Sequence, residues 1–211
     1  MSNRTKIIYV SDPMCGWCYA FSPIIKQLAM DYKNHFDFEL LNGGMVVGER
    51  EGLIGDFANY VLKAYPQVEA HSGIKFGEPY LDKLRNNTLY NSSVLPSIAM
   101  EVFKSFLPLE VIAFSSAIQH AIFFEGKDGQ DIQTYIHLAQ NFGIDAAQFS
   151  ELVRTETYKI KTYEGFEEAA KLGVNGYPAV LALHQGTYYS LSRGFAPYAQ
   201  MEMMFEKLKS M

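Results

Sequence analysis

The stretch Ser11-Asp12-Pro13-Met14-Cys15-Gly16-Trp17-Cys18-Tyr19-Ala20-Phe21-Ser22-Pro23 sets two cysteines three apart, where one sequence pattern gives way to another. Before it, Lys6 to Ser11 is a β-branched and aromatic run closed by Asp12 and Pro13, which reads as a short strand. After it, Phe21, Ile24, Ile25, Leu28 and Tyr32 recur at i, i+3, i+4 spacing and predict a helix from near Cys15 to about Lys33. The cysteines therefore fall at a strand-to-helix junction. The first backbone N–H groups of a helix lack partners and its dipole points its positive end outward, so a sulfur there is stabilised as thiolate. On this reading an exposed Cys15 sulfur crowns the helix as a nucleophile. Cys18 lies one turn further in on the same face and can attack a mixed disulfide formed at Cys15.

These are the only two cysteines in 211 residues. A bridge closing so short a loop constrains little of the chain, which favours reactivity over stapling. A zinc site would need more ligands, and His35, His71, His120, His137 and His184 show no ligand spacing, so no metal is expected. With 48% apolar residues, 15 Phe and 14 Tyr, the chain can bury a core without covalent help. Its formal charge of -5 and lack of a basic cluster speak against nucleic acid or an anionic membrane as partner. No apolar run approaches the roughly 20 residues that cross a bilayer. Met1 to Ile8 carries Arg4 and Lys6 but lacks the apolar stretch and small-residue cleavage site of a signal peptide, so a cytoplasmic location is expected. Without secretion, the Asn-x-Ser/Thr matches at Asn3, Asn86 and Asn91 carry no meaning.

Phe36 to Leu41 alternates apolar and acidic residues as a half-buried strand does, and Asn42, Gly43 and Gly44 end it. From Gly48 to Thr155 the spacing turns helical, with helix punctuation in place of strands. Ser92 and Ser93 precede Leu95, Pro108 opens a run through Phe124, Gly126 and Gly129 act as stops, and Gly143 and Asp145 close one helix and cap the next. A helix from about Glu156 to Leu172 leads back to strands. Ala179 to Leu183 and Thr187 to Ser192 flank His184-Gln185-Gly186 as a hairpin, and Pro197 opens a last helix through Lys209, whose Met201, Met203 and Met204 read as filler. The expected plan is an α/β domain in two pieces, 1–47 and 156–211, with a helical domain, 48–155, inserted between them.

A second motif, Gly173-Val174-Asn175-Gly176-Tyr177-Pro178, precedes the returning strand. Proline at a strand start is ordinary. Alongside the cysteine pair, a cis Tyr177-Pro178 bond would bring the Tyr177 backbone beside the sulfurs, where an extended peptide could pair with it.

Pro13 to Pro23 resembles the active site of the thioredoxin fold, including the proline five residues after the second cysteine. Gly173 to Gly194 resembles that fold's cis-proline loop and final hairpin. In an ordinary thioredoxin the loop follows the cysteines much sooner, and a helical insertion of this size resembles the DsbA family. Within it, Asp12-Pro13-Met14-Cys15, Gly43-Gly44-Met45 and Phe124-Glu125-Gly126-Lys127-Asp128 are similar to the cytoplasmic FrnE-like branch. The resemblance implies a thioredoxin fold with a large all-helical insertion and a thiol–disulfide oxidoreductase. It makes Cys15 the nucleophile, Cys18 the resolving thiol, and Tyr177-Pro178 the substrate-facing loop. Gly16 and Trp17 then shape the surface that a partner meets, and Asp12, Pro13 and Met14 are supporting residues. Asp12 could accept a proton during exchange or simply end the strand as a turn residue. No cofactor is expected beyond the redox-active disulfide itself. The partners are protein or peptide thiols and disulfides, with glutathione as a further co-substrate. C-G-W-C replaces the C-G-P-C of thioredoxin, so that protein's potential does not carry over.

Two other functions share this plan. Kappa-class glutathione transferases and isomerases have a similar inserted thioredoxin fold but activate glutathione with a hydroxyl where this chain offers thiols. A redox-independent chaperone or binding module would use the insertion, where Tyr60, Tyr65, Phe76, Tyr80 and Tyr90 supply aromatic groups.

Overall fold

The computed structural model describes residues 4–211, so Asn3 and the first three positions of the expected 1–47 segment lie outside the described residues. The chain runs β1 (Lys6–Ser11), α1 (Gly16–Tyr32), β2 (Asp37–Asn42), β3 (Gly52–Leu53), α2 (Phe57–Ser72), α3 (Glu78–Arg85), β4 (Tyr90–Asn91), α4 (Val94–Phe106), α5 (Val111–Phe123), α6 (Ile132–Gln140), α7 (Ala146–Val153), α8 (Glu156–Lys171), β5 (Ala179–His184), β6 (Thr187–Arg193) and α9 (Tyr198–Lys209). This is the thioredoxin arrangement with helices inserted between β2 and α8.

Four strands form a mixed sheet in the order β2-β1-β5-β6. β1 pairs parallel with β2 and antiparallel with β5, and β5 pairs antiparallel with β6. Successive strand residues face opposite sides, so each side of the sheet acquires its own apolar set. Ile7, Tyr9, Leu40, Val180 and Ala182 join the main core with α1 and α9, while Ile8, Val10, Leu41, Ala179 and Leu181 pack with Ala169 of α8 on the other side. The hairpin turns at Gln185-Gly186, both at positive φ, where glycine is at home.

α1 buries Phe21, Ile25, Leu28 and Tyr32 along one stripe and carries Pro23 inside it. Its far end packs on α9, where the Tyr32 and Phe205 rings meet edge to face at 5.1 Å. Met201 belongs to this core, whereas Met203 and Met204 are exposed. α5 lies along α1 and joins the inserted helices to the sheet layer. The insertion has its own apolar centre, in which Phe103 of α4 and Phe114 of α5 stack at 4.0 Å with Phe142 edge-on to both. Asp145 caps α7 through the Gln148 amide, and Gly143 sits at φ +80 beside it.

One expectation for the middle segment needs correction. It is not free of strands, because β3 and β4 form a two-residue antiparallel ladder through Gly52–Asn91 and Leu53–Tyr90. Two residues are too few to show a period-two pattern. Ser93 occupies the cap position of α4 but makes no capping bond with its side chain. Its hydroxyl is committed elsewhere, as described below.

Phe103→Ala opens a cavity in a fully buried aromatic stack. The expected cost is about 3–5 kcal/mol, read from chemical denaturation as a lowered midpoint at an unchanged slope.

Candidate active site

β1 delivers the chain to the site, and the turn after it is built by Asp12. The Asp12 carbonyl accepts the Cys15 amide at 3.1 Å, and its Oδ1 accepts the Met14 amide at 2.9 Å. The turn leaves Cys15 in an extended conformation, φ -91 and ψ 113, with α1 starting at Gly16. Cys15 is thus the N-cap, a position usually held by Ser, Thr, Asp or Asn. Its Sγ does what a capping oxygen does and accepts the Cys18 N–H at 3.2 Å. The sulfur thus satisfies a first-turn amide that has no partner within the helix, and it faces the positive end of a 17-residue helix.

Both cysteines are free thiols. Cys15 keeps 6% of its surface exposed and Cys18 none, so the sulfur at position 15 is less open than the sequence reading expects. The 177–178 loop closes over it, with the Tyr177 carbonyl against the sulfur. Trp17 is half-buried, with its ring 5.8 Å from Phe195 and 6.1 Å from His71. Gly16 and Trp17 are the more open part of the motif, while Pro13 and Met14 are buried. Burial pushes the Cys18 thiol well above its ordinary 9.0, and the hydrogen bond to Cys15 and the charge there push it the same way.

The second motif reaches the site from the far end of the chain. The Tyr177–Pro178 bond is cis, and the Tyr177 carbonyl accepts the Cys15 thiol at 3.7 Å. The loop is held at both ends: Gly194 N–H donates to Pro178 O at 2.7 Å, and Tyr177 Oη donates to Gly43 O at 2.6 Å. A methyl group at Gly43 would overlap the Tyr177 ring, so the loop needs glycine there for close approach. In the sequence, Gly43 reads only as the end of a strand, and nothing near it announces a partner so far along the chain.

Asp12 is fully buried, and its carboxyl is shared among three segments. Besides the Met14 amide, Oδ1 accepts the Ser93 hydroxyl at 2.8 Å and Oδ2 accepts the Met45 amide at 2.7 Å. Ser93 Oγ in turn accepts the Val46 amide at 3.0 Å. Burial raises the Asp12 carboxyl above its ordinary 3.8, against the lowering effect of those donors. Gln119 of α5 adds a side-chain bond to the Asp12 carbonyl at 3.3 Å. Ser93 and Gln119 carry no sequence signal for this role, because each acts through a fold-dependent contact inside a helical pattern. Of the five aromatic residues considered for a binding surface, Phe76 and Tyr80 are buried and only Tyr60 and Tyr90 are exposed. Among the described residues there is no cluster that could hold a metal, and no helix is long and apolar enough to cross a membrane.

A sulfur capping a helix, a second sulfur one turn below and a cis-proline loop closing over them define a redox site of the thioredoxin kind. The family model of the DSBA-like thioredoxin domain matches residues 6–203, and the chain belongs to this family of disulfide oxidoreductases. Among solved structures, the chain is similar to a candidate protein disulfide isomerase from Nitrosomonas europaea, with 21% identity, 98% of each chain covered and a TM-score of 0.87. It is also similar to the cytosolic disulfide reductase DsbM from Pseudomonas aeruginosa, with 23% identity, 98% and 100% covered and a TM-score of 0.80. At these identities the likeness concerns the fold. Among curated proteins, the ClpXP adapter protein SpxH of Halalkalibacterium halodurans is 25% identical over 144 residues, 66% of this chain but 46% of that protein, so the match spans less than half of its length.

Two outcomes follow. Ser93→Ala leaves the buried Val46 amide without its acceptor and removes a donor from Asp12, at an expected cost of about 1–3 kcal/mol. The folded Asp12 value lies above the unfolded one, so its neutral form contributes stability that is complete below pH 3.8 and is lost as pH rises through the folded value. Losing a donor to the charged form raises that value further, so the deficit of Ser93→Ala in unfolding free energy grows as pH rises above 3.8. Separately, brief treatment of the folded protein with a haloacetamide at neutral pH should label Cys15 and spare Cys18, with both labelled after denaturation. Peptide mapping checks this, and early labelling of Cys18 would contradict the assigned burial.

Proposed function

We propose that the chain is a dithiol–disulfide oxidoreductase that exchanges disulfides with protein or peptide thiols through the pair Cys15 and Cys18. The observation that carries this reading is the Cys15 sulfur at the helix N-cap, accepting the Cys18 amide at 3.2 Å with the Tyr177 carbonyl 3.7 Å away. In the reducing direction the Cys15 thiolate attacks one sulfur of a partner disulfide. The partner's S–S bond breaks, a Cys15–partner disulfide forms, and the other partner sulfur leaves with the electron pair. Cys18 then attacks the Cys15 sulfur, closing the Cys15–Cys18 disulfide and releasing the second partner thiol. The reverse sequence hands a disulfide to a reduced partner. Tyr177–Pro178 is the loop along which an extended substrate segment pairs, with Gly16 and Trp17 at the rim.

Glutathione is proposed as a co-substrate that recycles the pair. DsbM from Pseudomonas aeruginosa, similar in fold at a TM-score of 0.77, has been solved with GSH. Here a cavity of about 270 Å³ adjoins the loop, lined by Gly173, Asn175, Tyr177, Ser192 and Arg193, and Arg193 offers a cation to a carboxylate. A cytoplasmic location, in keeping with the reducing direction, belongs to the same proposal.

Cys15→Ser should abolish disulfide reduction in an insulin assay, and Cys18→Ala should accumulate Cys15–partner disulfides visible on non-reducing gels. Native turnover in Cys15→Ser would refute the reading, as would glutathione transfer to an electrophile that persists without Cys15.

A further inference from the structure

The resolving thiol presents a difficulty that the exchange reading leaves open. Cys18 is fully buried, yet it must carry negative charge when it attacks the mixed disulfide. An ion in such a place needs hydrogen-bond donors aimed at it. Resting on the oxidoreductase reading, we propose that Ser11 is the positioning residue for this step: its hydroxyl donates to the Cys18 sulfur as that sulfur becomes charged.

Three observations support the assignment. Ser11 ends β1 on the same side of the sheet as Ile7 and Tyr9, two and four residues back, which is the side that faces α1. It is 1% exposed, and its Oγ has no completed hydrogen bond among the described residues. Its carbonyl, by contrast, is occupied by the Gly43 amide at 2.8 Å. A buried hydroxyl left uncommitted in this way is uncommon and asks for an explanation. The groups it faces supply one, because the Ser11 hydroxyl neighbours both Cys18 and the hydroxyl of Tyr9, itself fully buried and unpartnered. Tyr9 can donate to Ser11, which frees the Ser11 proton for Cys18.

The remaining groups around Cys18 fix when this happens. The Asp12 amide faces the sulfur as a second donor, while the Asp12 carboxyl is engaged by Met14, Met45 and Ser93. Tyr9 and Tyr177 face it as phenols whose ionisation is pushed up by burial. Cys15 opposes charge on Cys18 both as hydrogen-bond partner and as a charge. Once Cys15 enters a mixed disulfide its own opposition ends while that of burial remains, and the Ser11 hydroxyl and Asp12 amide are the donors that offset it. The Cys18 proton departs, Cys18 attacks Cys15, the Cys15–partner S–S bond breaks, and the leaving sulfur takes the electron pair and then a proton. Ser11 keeps its own proton throughout.

Dithiobis(nitrobenzoate) separates the two steps, since its thiolate product is coloured. Attack by Cys15 releases the first thiolate and attack by Cys18 the second. In stopped-flow experiments on the reduced full chain, Ser11→Ala should leave the first phase within about twofold of native. It should slow the second about tenfold or more, the factor expected for a lost hydrogen bond to a charged group, and move its pH midpoint upward. Ser11→Thr retains the hydroxyl and should keep the second phase near native. A native second phase in Ser11→Ala overturns the proposal, as does equal slowing of both phases in both variants, which marks general loosening. A native protein that releases only one thiolate per chain would overturn the exchange reading itself, and the role of Ser11 with it.

Discussion

A sulfur in place of a capping oxygen is the constraint from which the rest of the site follows. For Cys15 Sγ to accept the Cys18 amide, residue 15 must be extended while residue 16 is already helical, and the Asp12 turn enforces that switch through its carbonyl and carboxyl. The same geometry gives the sulfur two properties together. It faces the positive end of α1, and it stands beside a second cysteine exactly one helical turn away only because i and i+3 share a face. Moving either cysteine by one residue would keep the composition and lose the arrangement.

The insertion is more than an appendage to this arrangement. Asp12 is bonded from β1's own turn, from Met45 beyond β2, and from Ser93 at the head of α4, while Gln119 of α5 holds its carbonyl. A buried carboxyl with this many donors fixes the positions of all the segments that supply them, since leaving any donor unpaired in the interior is costly. Asp12 is in this sense a joint between the sheet and the inserted helices, and its bond from the Met14 amide is that of a turn residue.

Much of the fold was legible because its signals are local. The β1 run, the α1 stripe, the alternation of β2 and the Gln185-Gly186 turn each declare themselves within a few residues. The Cys15–Cys18 spacing and the Tyr177–Pro178 pair are local motifs as well, and the fold brings them within hydrogen-bonding distance. The missed elements are those whose meaning lies in a distant partner. β3 and β4 are two residues long and exist only as each other's partner. Ser93 reads as a helix cap, yet its hydroxyl serves Asp12 some eighty positions earlier. Gly43 reads as a strand end, but its lack of a side chain admits the Tyr177 ring. The exposure of Cys15 was overestimated for the same reason, since helix position is local and the Tyr177 loop that covers the sulfur is not.

The two thiols, close in sequence, are held in different environments, and this asymmetry would give the proposed exchange its order. Cys15 has an amide donor, a helix end and a small opening; Cys18 has burial, which does most to hold it protonated, with the hydrogen bond and charge of Cys15 acting in the same direction. Burial and the neighbouring Cys15 both hold Cys18 back from ionising, so the pair does not present two competing nucleophiles to a partner. In the proposed exchange, covalent capture of the partner at Cys15 removes that sulfur's share of the restraint on Cys18, leaving burial to be offset by hydrogen-bond donors. The product of the first step thus lightens the restraint on the second.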